Sequence, residues 1–239
     1  MVKTYSEHSN PNMRRPVVQQ GIVEFMRQQD QALPTFLQDL QAFAATENIP
    51  IIPKETVAFF RFFLQVLAPQ KILEVGTAIG FSALMMAEAL PEAEIVTIDR
   101  NPEMIQLAKE NFARFEEGKQ IRLLEGEAQD ILKDLKGHTF DFIFVDSAKS
   151  KYVVFLPDLL ELLPKGGILI FDDVFQGGDI AKDSGEIRRG QRAIYRGLHK
   201  LFAAVDQHPD LMVSYLPLGD GLLMVKKEAD SVEFLQENL

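Results

Sequence analysis

The sequence predicts an α/β fold: a doubly wound, mostly parallel sheet behind an N-terminal helical cap. Three observations predict it. Five short apolar runs alternate with amphipathic helix patterns from residue 71 to 171. The runs are almost continuously apolar, as strands are when helices cover both faces of a sheet. The first run also leads into a glycine-bracketed turn, the place where such sheets take ligands.

Residues 1–16 are polar and rich in Pro and Asn, and are expected to be flexible. A single domain then covers 17–239, with a helical cap over 17–68 and a core over 69–228. The cap divides into three helices near Leu33–Pro34 and Asn48–Pro53, with Asp30 and Thr35 as candidate caps. Its third segment, "ETVAFFRFFLQVL", is apolar enough to need a packing partner. The strands are "KILEV" 71–75, "EIVTI" 94–98, "IRLL" 121–124, "FDFIFV" 140–145 and "GILIF" 167–171. Helix patterns start near Phe81, Pro102, Ala128 and Tyr152. A long helix over about 186–206 follows, then "MVSYLPL" and "GLLMVKK", joined through "GDG" as an antiparallel pair.

Composition excludes several chemistries. With no cysteine there is no disulfide, thiolate metal site or cysteine nucleophile. His8, His138, His199 and His208 lack zinc-type spacing. A formal charge of −10 opposes indiscriminate nucleic-acid binding but leaves room for a local basic patch. No apolar run has the length of a membrane span and the N-terminus lacks a signal-peptide core, so a cytoplasmic protein is expected.

In "EVGTAIGFSAL", Gly76 and Gly80 bracket a strand-to-helix turn that lets backbone approach a ligand closely, with Glu74 just before it. The G-x-x-x-G spacing lacks the third glycine of the dinucleotide fingerprint, which weakens a nicotinamide reading. Asp99 ends the next strand where an acid can accept ribose hydroxyls, and "EGEAQD" after the third strand is placed to flank a purine. Together they predict an adenosine site.

With "KILEVGTAIGFSAL", "IVTIDRNP", "FDFIFVDSAK", "GGILIFDDV" and "LPLGDGLLMVKK", the chain resembles the class I S-adenosylmethionine-dependent O-methyltransferases related to caffeoyl-CoA and catechol O-methyltransferases. "IPIIPKETV" and the Arg-rich segment near 190 look closest to bacterial tRNA 5-hydroxyuridine methyltransferases. The resemblance spans roughly 45–228. It implies a Rossmann-like sheet of seven strands with an antiparallel ending, and a homodimer. It also implies that Ser82 binds the cofactor's amino-acid end, Asp99 its ribose, Glu127 and Ala128 its adenine, and that Ile52 closes over it. Glu74, Gly76, Gly80 and Asp146 complete the candidate cofactor set.

Asp146 ends one strand and the pair Asp172–Asp173 ends the next, so three carboxylates meet beyond the sheet's carboxyl edge. Oxygen ligands without His or Cys suit a hard divalent cation such as Mg²⁺, with Ca²⁺ or Mn²⁺ as alternatives. In the resembled family these positions bind the metal, with Asn usual at the place of Asp173. A cation could chelate two vicinal oxygens of an acceptor and lower the hydroxyl's pKa. Lys149 is placed to assist deprotonation or stabilise the oxyanion, or is an exposed lysine at a helix start.

Catechols, caffeoyl esters and 5-hydroxyuridine all offer paired oxygens. On a helix, Arg188, Arg192, Arg196 and Lys200 share one stripe with Arg189 beside it, either a solvated face or a site for an anionic partner, which a tRNA phosphate backbone or a CoA tail would fit equally. Tyr195 and Phe175 are candidates to stack on a splayed base. The resemblance selects wobble 5-hydroxyuridine in tRNA, converted to 5-methoxyuridine. The alternatives are a catechol or caffeoyl-CoA-type enzyme, a nicotinamide oxidoreductase, or a non-catalytic RNA-binding module.

Overall fold

A computed structural model describes residues 18–29 and 32–234. The expected flexible terminus, the helix start at Val17 and the cap at Asp30 fall outside those residues. Helices α1 (Gln20–Gln29), α2 (Thr35–Glu47) and α3 (Lys54–Leu67) form the cap. Pro34 and Pro53 stand immediately before α2 and α3, where a missing N–H costs nothing. Thr35 is thus the first helical residue rather than a cap; Pro34 holds the cap position without a side-chain bond. α3 buries Val57, Phe60 and Leu64 completely. The Phe60 ring meets Phe144 edge-on at 4.8 Å, which fixes α3 against the sheet.

The sheet has seven strands: β1 (Lys71–Val75), β2 (Glu94–Asp99), β3 (Ile121–Glu125), β4 (Phe142–Val145), β5 (Ile168–Phe171), β6 (Leu211–Leu216) and β7 (Leu222–Lys227). Their order is β3-β2-β1-β4-β5-β7-β6. The first five run parallel, and β7 lies antiparallel between β5 and β6. Every residue of β4 and β5 is buried, the expected consequence of helices on both faces. Alternation along β4 sends Phe142 and Phe144 into one core, with α2 and α3, and Ile143 and Val145 into the other. The remaining helices are α4 (Phe81–Ala89), α5 (Pro102–Arg114), α6 (Ala128–Asp134), α7 (Tyr152–Glu161) and α8 (Arg192–Val205). No described helix is long and apolar enough to cross a membrane.

One expectation fails here. The long helix over 186–206 is only α8, preceded by short 3-10 turns at Gln176–Ala181, Ser184–Glu186 and Arg189–Gln191. Gly185 and Gly190 disfavour helix, and the chain extends at Ile187 to bury that side chain. Arg188 and Arg189 therefore precede the helix that carries Arg192, Arg196 and Lys200.

Candidate active site

The carboxyl ends of β1, β2, β4 and β5 open into a cleft of about 1590 Å³, roofed by α1, α2 and the start of α3. On one side lies the turn after β1. Gly76 has φ 113°, and a Cβ there would lie 1.9 Å from the Asp146 carbonyl oxygen, so only glycine lets this turn pass the end of β4. Asp99 Oδ2 accepts the Ala78 N–H and its Oδ1 the Asn101 N–H, each at 2.8 Å. Each oxygen keeps a lone pair for a hydroxyl. Ile52, Ser82, Glu127 and Ala128 also line the cleft, so the structure brings together most of the expected cofactor residues. Glu127 pairs with Arg100 at 3.1 Å.

Glu74 and Gly80 stand behind that wall rather than in it. Glu74 is completely buried and accepts hydrogen bonds from Ser82 Oγ and Thr97 Oγ1, both at 2.5 Å. Thr97 in turn meets Thr77 Oγ1 at 2.7 Å. Burial pushes the Glu74 carboxyl up to about 8, against the two hydroxyls that pull it down. Glu74 thus braces the loop from behind. Ser82, having given its proton to Glu74, can offer a ligand only lone pairs. Thr77, in the glycine turn, and Thr97, in an apolar strand, escape sequence reading because a threonine there carries no motif.

The other side holds the acids. Lys149 is only 11% exposed, which rules out the solvated lysine, and it bridges Asp146 at 2.8 Å and Asp173 at 3.0 Å. Burial works against its charge, but Asp146 and Asp173 outweigh it and hold the ammonium well above its ordinary value. Lys149 is a counter-ion, not a ready base. Asp172 is buried, with Oδ1 accepting the Asp173 N–H at 2.7 Å. Burial, then Asp173 and Asp146, push Asp172 well above the carboxylate range, and burial raises Asp173 as well. Tyr152, wholly buried, ties the ends of β4 and β5 through its hydroxyl, 3.2 Å from the Val145 and Asp172 carbonyl oxygens.

Asp220, between β6 and β7, joins this wall although the sequence marks it only as a turn. Burial raises it to about 8, with Asp173 adding to the effect. The flanking glycines were the available signal: they pinch the turn until its aspartate faces inward. Four acids with one lysine have the chemistry of a hard-cation site. Among the described residues, however, no three acidic or imidazole side chains form a ready-made metal cluster. The donors fit in kind, with Lys149 now between two of them.

Phe175 and Tyr195 do not line the cleft. Phe175 packs on Tyr215, and the Tyr195 ring meets His199 at a tilt, 4.2 Å away, while its hydroxyl donates to the Lys182 carbonyl oxygen. Arg188, Arg189, Arg192, Arg196 and Lys200 are all exposed.

A family model described as O-methyltransferase matches residues 28–228. The chain belongs to the O-methyltransferase family. A probable caffeoyl-CoA O-methyltransferase of Dictyostelium discoideum is 30% identical over 185 residues, 75% of this chain and 78% of the relative. The catechol O-methyltransferase of Mycobacterium tuberculosis is 28% identical over 151 residues, 61% and 69% of the two chains. The S-adenosylhomocysteine-bound methyltransferase of Podospora anserina superposes with a TM-score of 0.79 at 26% identity, covering 87% of this chain and 94% of that one. The activity class of this O-methyltransferase is S-adenosylmethionine-dependent O-methyl transfer. A nicotinamide oxidoreductase and a non-catalytic RNA-binding module are thereby set aside.

Proposed function

We propose that this O-methyltransferase methylates one hydroxyl of a small acceptor carrying two vicinal oxygens, of the catechol or caffeoyl type, with a divalent cation held by Asp146, Asp172 and Asp173. One observation carries the reading. Asp146, Asp172, Asp173 and Asp220 face one cleft, where Lys149 pairs with Asp146 and Asp173, beside the turn and Asp99 that suit S-adenosylmethionine. When bound, the cation would lower the pKa of the acceptor hydroxyl. Lys149, held protonated, stabilises negative charge on the acceptor oxygen. Asp99 fixes the ribose and the Gly76 turn admits the cofactor backbone, so the methyl carbon and oxygen meet in line.

A second reading keeps the wobble 5-hydroxyuridine of tRNA as acceptor, favoured by one feature: Arg188, Arg189, Arg192 and Arg196 are exposed and make no ion pair among the described residues. Labelled methyl transfer to catechol and to hydroxyuridine-bearing tRNA, run side by side, separates the two. Efficient catechol methylation with idle tRNA supports the small acceptor; the reverse replaces it with tRNA.

A further inference from the structure

Helix α8 carries a buried glycine, Gly197, in its interior. Glycine is among the poorest residues for that position, so its presence there needs a reason. A Cβ at Gly197 would lie 2.9 Å from both the Cα and the carbonyl oxygen of Ser150, and 3.2 Å from its carbonyl carbon. Ordinary contact begins at 3.4 Å. Every atom met is backbone, so no side-chain rotation relieves the clash.

Ser150 is the middle residue of the 3-10 turn Lys149–Lys151, which leads from the end of β4 into α7. The turn is closed by the Lys151 N–H, which donates to the Ala148 carbonyl oxygen at 2.8 Å. On the other side of the contact, α8 is anchored in the core by Leu198, Leu201 and Val205, all wholly buried. How closely the α8 backbone approaches therefore sets the seat of the turn. From that seat Lys149 spans two acids that follow different strands, Asp146 at 2.8 Å and Asp173 at 3.0 Å. Its side chain is packed in and has little room to absorb a shift of its own backbone.

We propose that Gly197 is a positioning residue: its missing Cβ lets α8 seat the Lys149–Lys151 turn where Lys149 reaches both acids and the acceptor oxygen. The inference rests on the role proposed above for Lys149 and extends it to a residue outside the cleft lining. It does not depend on which acceptor is methylated. A methyl group at Gly197 would push the turn off its seat, and a misplaced charge loses much of its effect on a transition state.

The test is a double-mutant cycle on the full chain, with Mg²⁺, S-adenosylmethionine and whichever of catechol and hydroxyuridine-bearing tRNA the wild type methylates. Gly197→Ala is expected to lower kcat about tenfold or more, with the KM for S-adenosylmethionine within about twofold of wild type. In a Lys149→Ala background the same substitution should change kcat by less than about twofold, because its route of action is gone. Val205→Ala, two turns further along α8, controls for stability: it should lower Tm and leave kcat within about twofold. If Gly197→Ala does not fold, Gly197→Ala with Ser150→Gly, whose freer backbone lets the turn yield, is compared with Ser150→Gly alone. An unchanged kcat in Gly197→Ala, or an equal loss in both backgrounds, overturns the assignment while leaving the role of Lys149 standing. A Lys149→Ala variant as fast as wild type defeats that role and the assignment with it.

Discussion

The cofactor side and the acceptor side of the cleft share one sheet edge but differ in how their polar groups are satisfied. On the cofactor side Glu74, Ser82, Thr97 and Thr77 form a closed chain of hydrogen bonds, and Asp99 is clamped by two backbone N–H groups. On the acceptor side Asp172 and Asp173 are raised by burial, and Asp220 keeps an oxygen with no hydrogen-bond partner among the described residues. Unmet polar groups persist where a ligand completes the site. The first half is therefore closed by its own hydrogen bonds, whereas in the proposed function a cation and substrate complete the second.

Removing an acid from the unsatisfied half is expected to have the largest effect. Asp172→Ala should slow methyl transfer by roughly 100-fold or more while the chain stays folded, because the site loses charge stabilisation that acts in the transition state. Steady-state rates beside calorimetric S-adenosylmethionine affinity check this. A matching loss of cofactor affinity would erase the division between the halves.

Next comes Asp99→Ala. It should weaken S-adenosylmethionine and S-adenosylhomocysteine about tenfold or more, as charge-assisted bonds of roughly 1.5–3 kcal/mol to the ribose are lost. The rate at saturating cofactor should change far less. A variant that binds normally and turns over slowly would move Asp99 to the acceptor side.

The same contrast explains what was legible in the sequence. The cofactor half is built from backbone turns after strands, so the places of Gly76 and Asp99 in the cleft follow from spacing although Gly80 lies behind it, and the helix starts at Phe81, Pro102, Ala128 and Tyr152 agree with the pattern. The acceptor half depends on tertiary placement. Lys149 reads equally as a catalytic or an exposed lysine until the carboxylates after two different strands close on it. Asp220 reads as a hairpin residue because nothing local shows that β7 inserts beside β5. The Arg188–Lys200 stripe presumed a helix that Gly190 and buried Ile187 break.

A smaller effect concerns that basic surface. Reversing Arg192 and Arg196 to Glu should lower tRNA affinity and flatten its salt dependence by about two charges if tRNA is the acceptor, and leave catechol methylation unchanged. Filter binding over a salt series measures it. Tight tRNA binding that survives the reversal removes the observation behind the second reading.

The smallest expected effect is on stability. The Glu74 carboxyl, raised to about 8 in the fold, holds its proton better there than in the unfolded chain. Its contribution is complete below its ordinary value of 4.5 and is lost as pH rises through about 8. Glu74→Gln should flatten this fall, a relative gain of a few degrees in Tm, roughly, at pH 8 against pH 5. Thermal melts at the two values decide it; parallel curves would mean Glu74 is ionised in the fold throughout.

The most direct measurement follows the conversion of catechol to its monomethyl ether after metal removal verified by elemental analysis, with and without added Mg²⁺. The account predicts at least about a 100-fold loss without the cation, recovery on its return, and no comparable methylation of phenol, which has a single oxygen. Full activity in the metal-free protein, or phenol methylated as fast as catechol, would contradict it.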